Sequence, residues 1–318
     1  MGDAVAMAKI KSRNFNIIID YMINRDELAI SQIADDTQLS IPTVKKFIDY
    51  AIENDIVIHT EIAESTGGRK PKLYKINRAF RYTLYIAIDN NSLCCRAADF
   101  ANKCIYKSEV DFVPETVISD IKSIISDISA KYKIKNVCIS LPSIVDSGKI
   151  TYWGRIHDFD GYDLKADIEK EFNVNCIVEN DMKLTAYAAI DDFENPKDAN
   201  IATMQFGHNG IGLGVISNGK ILKGATGFAG EVSFLNSFNI DIPSVDYCAR
   251  LVNGTIVFTN PEIIVFYTSE YQNNIDDIMK KALKKIPDFA VPKIRIADSY
   301  IDDVFKGLTI ISKPYRKV

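Results

Sequence analysis

The sequence predicts a mixed α/β protein in which a small helical module with a β-hairpin precedes two α/β lobes. Three observations predict this class. Residues 12–53 carry helix-period apolar patterns, a hairpin pattern follows, and from residue 82 short apolar strands alternate with amphipathic helices. The order of strands and helices then starts again near residue 199. The predicted boundaries are 1–80 for the α+β N-terminal module, 81–193 for the first lobe and 194–318 for a shortened second lobe.

The composition indicates a globular chain that is long enough for several packed cores. Hydrophobic residues make up 47% of the 318 residues, which excludes intrinsic disorder, and the net charge is −4. Any nucleic-acid contact must therefore come from a local basic patch. The sequence has no apolar run of about 18 residues, and its first residues lack the apolar core of a signal peptide. We therefore expect a cytoplasmic protein without a membrane partner.

The six cysteines are expected to be reduced thiols. None belongs to a C-x-x-C pair, most stand in apolar strand-like stretches, and the three histidines are scattered. A structural zinc site needs clustered Cys and His ligands. No metal ligand and no cofactor are therefore assigned from the sequence.

The N-terminal module has the pattern of a helix-turn-helix. Apolar residues from Phe15 to Met22 share one face of a helix predicted over 12–24, and a shorter helix follows over 29–38. A third helix begins after Ser40, its predicted N-cap. In a helix-turn-helix, residues near the start of the last helix contact base edges in the major groove. The candidate DNA contacts of this helix are Ser40, Pro42, Thr43, Lys45 and Lys46.

The hairpin after the third helix is predicted to form a wing. Gly67 and Gly68 supply the positive φ values that a tight turn needs, and Arg69 and Lys70 stand at its tip. Such a tip can reach the minor groove or the phosphates. The predicted partner is double-stranded DNA with a palindromic operator, bound by a homodimer or a dimer of dimers. The alternative is a packing module whose charges are merely solvated.

The region after residue 81 carries one unit twice. Three strands, a helix, a strand, a helix and a strand follow each other in the order of a ribonuclease-H-like, actin-like unit. A ligand cleft between two such lobes is the expected site. At the junction Glu179-Asn180-Asp181 an apolar strand pattern meets a helix pattern, so these side chains can grip hydroxyl groups. Asp181 can equally be a general base or a helix cap.

Three segments resemble the ROK family (repressors, open reading frames and sugar kinases), and specifically its transcription regulators. Residues 64–77 resemble the regulators' wing, which reads S-T-G-G-R-x-P. Residues 161–188 resemble the family segment containing V-E-N-D-x-N, and residues 210–234 resemble the segment containing A-G-E-I-G-H. The resemblance implies that Asp181 corresponds to the general base of the kinases. It also implies that Asn180 and Glu231 hydrogen-bond sugar hydroxyls.

Departures from the kinase motifs imply a domain that no longer transfers phosphate. The first phosphate loop, D-I-G-G-T in the family, reads Asp89-Asn90-Asn91-Ser92, so side chains take the space of a phosphate. The glycines from 210 to 214 suit either phosphate binding or a bend between strands. Phe234 replaces a zinc-binding His with no Cys cluster after it, and Arg155 replaces a sugar-contacting Asn. Since phosphoryl transfer needs phosphate positioning and charge stabilisation together, no catalytic residue is assigned.

The function expected from the sequence is a sequence-specific DNA-binding transcriptional repressor. Its ROK-like lobes would sense a sugar or a sugar phosphate through Asn180, Asp181, Glu231 and Arg155, without catalysis. Arg155 favours an anionic ligand if it points into the cleft, and is otherwise a solvated charge. Two alternatives remain: an active sugar kinase with an added DNA module, and a ligand-independent DNA-binding dimer.

Overall fold

The computed structural model describes residues 13–60, 72–89, 91–154, 156–190, 193–207, 210–235, 244–267 and 274–316. These residues form a helical N-terminal module and two α/β lobes, as the sequence predicts. No helix among them is both long enough and apolar enough to cross a membrane. All six cysteines are free, and four of them are buried.

The N-terminal module packs three helices against a three-stranded antiparallel sheet. Its elements are α1 over 13–22, β1 (Leu28–Ala29), α2 (Ile30–Thr37), α3 (Ile41–Glu53), β2 (Val57–Thr60) and β3 (Leu73–Ile76), with sheet order β1-β3-β2. The three predicted helices are confirmed to within two residues at each described end. β2 and β3 pair as the base of the predicted hairpin. Its predicted tip, Gly67, Gly68, Arg69 and Lys70, lies outside the described residues.

Helix α3 begins as the sequence predicts. The Ser40 side chain accepts a hydrogen bond from the Thr43 amide at 3.4 Å, and Pro42 stands in the first turn, where its missing N–H costs nothing. Val44 and Ile48 are buried in the module core, while Lys45 and Lys46 are exposed. The start of α3 therefore presents a polar, basic face to solvent.

The two lobes share one sheet topology, which confirms the predicted repeat. The first lobe contains β4 (Tyr82–Asp89), β5 (Ser92–Ala98), β6 (Cys104–Asp111), α4 (Val117–Ser129), β7 (Ile134–Leu141), β8 (Ile144–Asp146), β9 (Lys149–Tyr152), α5 (Leu164–Phe172), β10 (Asn175–Asn180) and α6 (Asp181–Ile190). The second contains β11 (Ile201–Gly207), β12 (Gly210–Ser217), β13 (Lys220–Ile221), α7 (Val245–Thr259), β14 (Ile263–Tyr267), α8 (Ile275–Ala282), β15 (Lys293–Ile296) and α9 (Tyr300–Arg316). The sheet orders are β10-β7-β4-β5-β6 and β13-β12-β11-β14-β15.

Each sheet places an antiparallel meander on one side and parallel strands on the other. β4 pairs with β7 in parallel and with β5 antiparallel, and β11 pairs with β14 and β12 in the same way. The β8–β9 hairpin, whose strands have only three and four residues, was not predicted from the sequence. β13 has only two residues.

The last helix turns back from the second lobe onto the first. Val304, Phe305 and Leu308 of α9 share a buried cluster with Leu184 of α6 and with β4 and β7. The helices approach so closely that a Cβ on Gly307 would lie 2.2 Å from the Leu184 carbonyl oxygen. Helix α9 therefore covers the junction between β10 and α6. The division of the lobes at residue 193 remains a prediction.

Candidate ligand-binding cleft

A cleft of about 250 Å³ lies at the carboxyl ends of the first-lobe strands and faces the second lobe. In a parallel sheet with helical crossovers, this end is where ligands bind. The polar residues that line it are Asp89, Ser143, Tyr152, Asn180, Asp181, Gln205, Glu231, Ser233 and Tyr300. Three of the four predicted effector residues, Asn180, Asp181 and Glu231, are thus brought together. The fourth, Arg155, lies outside the described residues.

Asn180 is the residue that caps helix α6. Its side-chain oxygen accepts from the Lys183 amide at 3.0 Å, which satisfies one of the free N–H groups of the first turn. Its side-chain nitrogen donates to the Ser143 carbonyl at 3.1 Å. Asn180 therefore fixes the segment after β7 against the start of α6, and Asp181 is not needed as the cap.

Asp181 presents a buried carboxylate to the cleft. One oxygen accepts from the Met182 amide at 2.7 Å, and the other accepts from the Tyr300 hydroxyl at 2.7 Å. Burial raises the pKa of Asp181, and these two hydrogen bonds oppose the increase. Burial and the neighbouring carboxylate also raise the pKa of Tyr300 well above its usual value. Tyr300 therefore remains a hydroxyl donor that already occupies Asp181.

Lys183 is a buried cation that was not predicted from the sequence as a site residue. Its side chain is 1% exposed, its ammonium donates to the Gly227 carbonyl at 2.6 Å, and it lies 3.9 Å from the Glu231 carboxylate. Burial lowers the pKa of Lys183, while Glu231 and Glu179 oppose the decrease. The sequence contained a clue, because Lys183 stands where the family motif has an Asn.

Glu231 faces the cleft with an unusually basic carboxylate. Burial raises its pKa to about 7, and the nearby Lys183 ammonium opposes the increase. In the same group of charges, Glu179 pairs with Lys223. Lys183 and Lys223 therefore compensate two carboxylates near the cleft.

The Ser143 hydroxyl is a polar group left for a ligand. Ser143 lines the cleft and is 6% exposed, yet its hydroxyl has no hydrogen-bond partner among the described residues. An unsatisfied buried hydroxyl costs about 1–3 kcal/mol. A hydrogen bond to a ligand hydroxyl would remove this cost.

The glycines of β12 are required by packing against α6. A Cβ on Gly212 would lie 2.4 Å from the Met182 side chain, and one on Gly214 would lie 2.1 Å from the Met182 carbonyl oxygen. The sequence left phosphate binding or a bend between strands open, but both glycines lie inside β12, and the structure gives them a third role, close packing against α6. The contact holds the second lobe against the start of α6.

The residues at the cleft rim do not fit the zinc ion that the family resemblance implies. Phe234, in the place of the zinc-binding His, makes edge-to-face contacts with Tyr152 and Phe228 at 5.4 and 5.1 Å between ring centroids. Within the described residues, no group of three or more His, Cys, Asp or Glu side chains could hold a metal ion. An aromatic cluster stands where the family would place the metal.

The sequence that builds this cleft matches a known family model. Residues 88–236 match the model described as the ROK family. The chain contains a ROK family domain. This ROK domain supplies every cleft residue named above except Tyr300, which α9 contributes.

The xylose repressor of Lactiplantibacillus pentosus is 24% identical over 243 residues, which cover 72% of this chain and 61% of that protein. The chain thus spans about three fifths of the length of this relative.

Two solved structures share the fold at low sequence identity. A ROK family transcriptional regulator, a homologue of the Escherichia coli MLC protein, has a TM-score of 0.68 and 14% identity, with 97% of both chains covered. A ROK family glucokinase from Streptomyces griseus in complex with glucose and AMPPNP has a TM-score of 0.56 and 14% identity, over 72% of this chain and 98% of that one. The first likeness includes the N-terminal module, and the second leaves more than a quarter of the chain uncovered.

Proposed function

We propose that the chain is a sequence-specific DNA-binding transcriptional repressor whose ROK domain senses a sugar or a sugar phosphate. The observation that carries the proposal is the exposed start of α3, joined to a ROK domain with a polar cleft. A relative named as a repressor and a solved transcriptional regulator that matches 97% of the chain support it. We infer that the N-terminal module is a winged helix-turn-helix.

The proposed DNA-reading surface is the first turn and a half of α3. Lys45 and Lys46 are exposed there, beside Ser40, Pro42 and Thr43. Lysines at this position suit phosphate oxygens, while the short polar side chains can meet base edges. Gly67, Gly68, Arg69 and Lys70 of the hairpin would add a second contact in the minor groove or on the backbone. A homodimer, or a dimer of dimers, on a palindromic operator would then place two such helices in successive major grooves.

The proposed effector site is the cleft around Asp181. In this site, the carboxylates would accept hydrogen bonds from ligand hydroxyls, and Asn180 and Gln205 would contact the ligand through their side-chain amides. The Ser143 hydroxyl has no hydrogen-bond partner among the described residues and would bind the ligand as well. This mixture of acceptors and donors suits a ligand rich in hydroxyl groups. Arg155, if it reaches the cleft, would add a contact for a phosphate group.

We infer that the ROK domain does not transfer phosphate. Asp181 is held by Tyr300, and Gly212 and Gly214 are occupied in packing against Met182. The alternative of an active sugar kinase is favoured by the retained Asp181 and Glu231 and by the glucokinase fold. It predicts ATP-dependent phosphorylation of at least one monosaccharide in a panel, abolished by Asp181→Asn. No turnover by the wild-type chain would remove that alternative.

A ligand-independent DNA-binding dimer is the other alternative. The internal partners of Asp181 and Glu231 favour it, because both carboxylates have contacts without any ligand. A thermal-shift screen of sugars and sugar phosphates separates it from the proposal. A ligand at a hundred times its Kd stabilises the folded chain by about 2.7 kcal/mol, whereas a ligand-independent domain shows no shift.

The test of DNA binding uses a duplex selected by the full chain from a random-sequence library. Fluorescence anisotropy would compare the wild type with Lys45→Ala/Lys46→Ala and with the control Lys284→Ala/Lys285→Ala. The control removes another exposed lysine pair, in the second lobe. We expect the α3 variant to bind more weakly and its slope of log affinity against log salt to fall by about two, since each phosphate contact contributes about −0.9. Failure to select any duplex, or equal binding by both variants, would contradict the proposal.

A further inference from the structure

We propose that helix α9 couples occupancy of the cleft to the N-terminal module, and that Tyr300 is the residue a ligand displaces. The inference rests on the proposed function and concerns the regulation of the same cleft. Four consecutive contacts lead from the cleft to the core of the N-terminal module. Each contact joins described residues.

The first contact is the Tyr300–Asp181 hydrogen bond inside the cleft. Tyr300 is the first residue of α9, and its hydroxyl occupies one carboxylate oxygen of Asp181 while Met182 occupies the other. Both Tyr300 and Asp181 line the cleft. A ligand hydroxyl that binds Asp181 therefore competes with Tyr300 for the same buried acceptor.

The second contact fastens the first turns of α9 to both lobes. Asp303 accepts from the Tyr267 hydroxyl of β14 at 2.6 Å, and Asp302 pairs with Arg96 of β5. The Arg96 guanidinium also lies 3.9 Å from the centre of the Phe305 ring. Both lobes therefore contact the first turns of α9, so a shift of Tyr300 moves a helix that contacts both lobes.

The third contact lies near the far end of α9. The Ser312 hydroxyl is 3.2 Å from the Tyr85 hydroxyl, which donates to the Asn102 side chain at 3.0 Å. Ser312 is 0% exposed and Tyr85 is 3% exposed, so water does not compete for this bridge. Ser312 stands twelve residues after Tyr300, or about 18 Å along a helix with a rise of 1.5 Å per residue.

The fourth contact joins the β5–β6 turn to the N-terminal module. Phe100, in the turn that contains Asn102, is 2% exposed and belongs to the core cluster of the module. Its amide donates to the Arg78 carbonyl at 3.1 Å, and Asp99 lies 3.5 Å from the Arg78 guanidinium. The turn is internally braced, since Asp99 also accepts from the Lys103 amide at 2.8 Å. Movement of Asn102 therefore displaces a side chain of the module core.

Close packing gives this series of contacts its stiffness. Packed interiors transmit displacement because they have few voids in which to absorb it. Between its two ends, α9 lies against α6 at Gly307, where a Cβ would be 2.2 Å from the Leu184 carbonyl oxygen. In the proposed coupling, the chain binds DNA with the Tyr300–Asp181 bond intact, and loss of this bond weakens DNA binding.

The first test is Tyr300→Phe in the full chain, measured against the library-selected duplex. The substitution keeps the ring and removes the donor, so it imitates displacement by a ligand. We expect affinity to fall by about five- to 150-fold, the usual range of coupling between sites. The matched control is Tyr162→Phe, which removes another Tyr–Asp hydrogen bond, to Asp167, beside a first-lobe core cluster that contains no residue of α9. Unchanged affinity in Tyr300→Phe, or an equal fall in Tyr162→Phe, would overturn the proposal.

A double-mutant cycle with Tyr85→Phe tests whether the two ends of α9 act together. If α9 couples them, Tyr300→Phe/Tyr85→Phe loses no more affinity than the stronger single variant. If the ends act independently, the two fold-losses multiply, as for separate sites. Multiplication, or an effect of only one single variant, contradicts the coupling.

Amide hydrogen exchange supplies a readout that needs no DNA. In Tyr300→Phe we expect faster exchange in the last turns of α9 and in the 99–103 turn, and no change there in Tyr162→Phe. Changes confined to the cleft would overturn the coupling even if the chain binds DNA. If exchange becomes faster in the 99–103 turn but the chain selects no duplex, the coupling stands and the proposed function is contradicted.

Discussion

At the scale of single residues, Asn180 and Asp181 have different tasks although they are adjacent. Asn180 caps α6 and donates to the Ser143 carbonyl, so two of its contacts are structural, although it also lines the cleft. Asp181 lines the cleft and is held by Tyr300. The sequence predicts that both residues lie at a strand–helix junction. It does not show which side chain accepts from the free amides of the first turn of α6, and in the structure this is Asn180.

The cap can be tested by Asn180→Ala. We expect the free energy of unfolding to fall by about 1–2 kcal/mol, because α6 loses its cap and the Ser143 carbonyl loses its donor. Asn180→Ser is the matched variant, since it keeps a capping acceptor without adding charge and removes the amide that donates to Ser143. Denaturant unfolding should rank wild type above Asn180→Ser and Asn180→Ser above Asn180→Ala. A more stable Asn180→Ala would contradict the assignment.

The raised pKa of Glu231 predicts a specific dependence of stability on pH. The folded chain holds this proton up to about pH 7, whereas an ordinary glutamate loses it near 4.5. This stabilisation is therefore complete below about pH 4.5 and is lost as pH rises to about 7.

Glu231→Gln should remove this part of the pH dependence. Between about pH 4.5 and pH 7, the difference in free energy of unfolding between the wild type and the variant should change by at most about 3 kcal/mol, since one pKa unit corresponds to about 1.36 kcal/mol. Chemical denaturation at a series of pH values measures it. Parallel profiles for the two proteins would show that the Glu231 carboxyl titrates like an exposed one.

At the scale of elements, β12 and α6 approach through glycine. Gly212 and Gly214 let β12 press on Met182, and this contact joins the second lobe to the cleft. The pattern of alternate glycines was visible in the sequence, yet it fitted phosphate binding equally well. Packing against Met182 could not be predicted from the glycines alone, because it depends on the position of α6 across the strand.

Gly214→Ala should destabilise the chain, because its Cβ would lie 2.1 Å from the Met182 carbonyl oxygen. We expect the free energy of unfolding to fall by about 1–3 kcal/mol, because the added methyl group overpacks against the backbone. Gly254→Ala is the control, since its Cβ meets only the Phe258 ring edge at 3.9 Å inside α7. There alanine should stabilise by about 0.5–1 kcal/mol through its helix preference. Thermal unfolding of both variants measures this, and we expect a lower Tm for Gly214→Ala and a higher Tm for Gly254→Ala than for the wild type.

At the scale of the whole molecule, Phe100 ties the ROK domain to the N-terminal module. It belongs to the first-lobe turn between β5 and β6 but packs in the module core, beside Phe80 at 5.2 Å between ring centroids. The module is therefore joined to the first lobe by packing as well as by the chain that connects them. This arrangement gives a route by which the ROK domain can influence the proposed DNA binding.

Phe100→Ala should weaken the whole chain. Removal of a buried phenylalanine costs about 3–5 kcal/mol, and here it also loosens the contact between domain and module. Phe289→Ala serves as the control, because Phe289 is 91% exposed and should change stability by less than about 0.5 kcal/mol. Equal denaturation midpoints for the two variants would contradict the role of Phe100.

Much of the architecture could be predicted from the sequence because its patterns are local. The apolar period of α1, the Ser40 cap and the repeated order of strands each depend on neighbouring residues. Lys183 and Tyr300 could not be recognised as cleft residues in this way. Lys183 becomes internal only when the second lobe closes over α6, and Tyr300 reaches Asp181 only because α9 returns to the first lobe.

The most direct test of the account measures binding of the selected duplex by the full chain in the presence of sugars and their phosphates. We predict that at least one compound changes the affinity of the wild type by about tenfold. We also predict that the affinity of Asp181→Asn for the duplex, even if lower, does not respond to any compound. The panel contains two matched pairs, glucose with glucose 6-phosphate and N-acetylglucosamine with its 6-phosphate. Xylose completes the panel. Binding that no compound alters, or an equal response from Asp181→Asn, would contradict a cleft that regulates DNA binding.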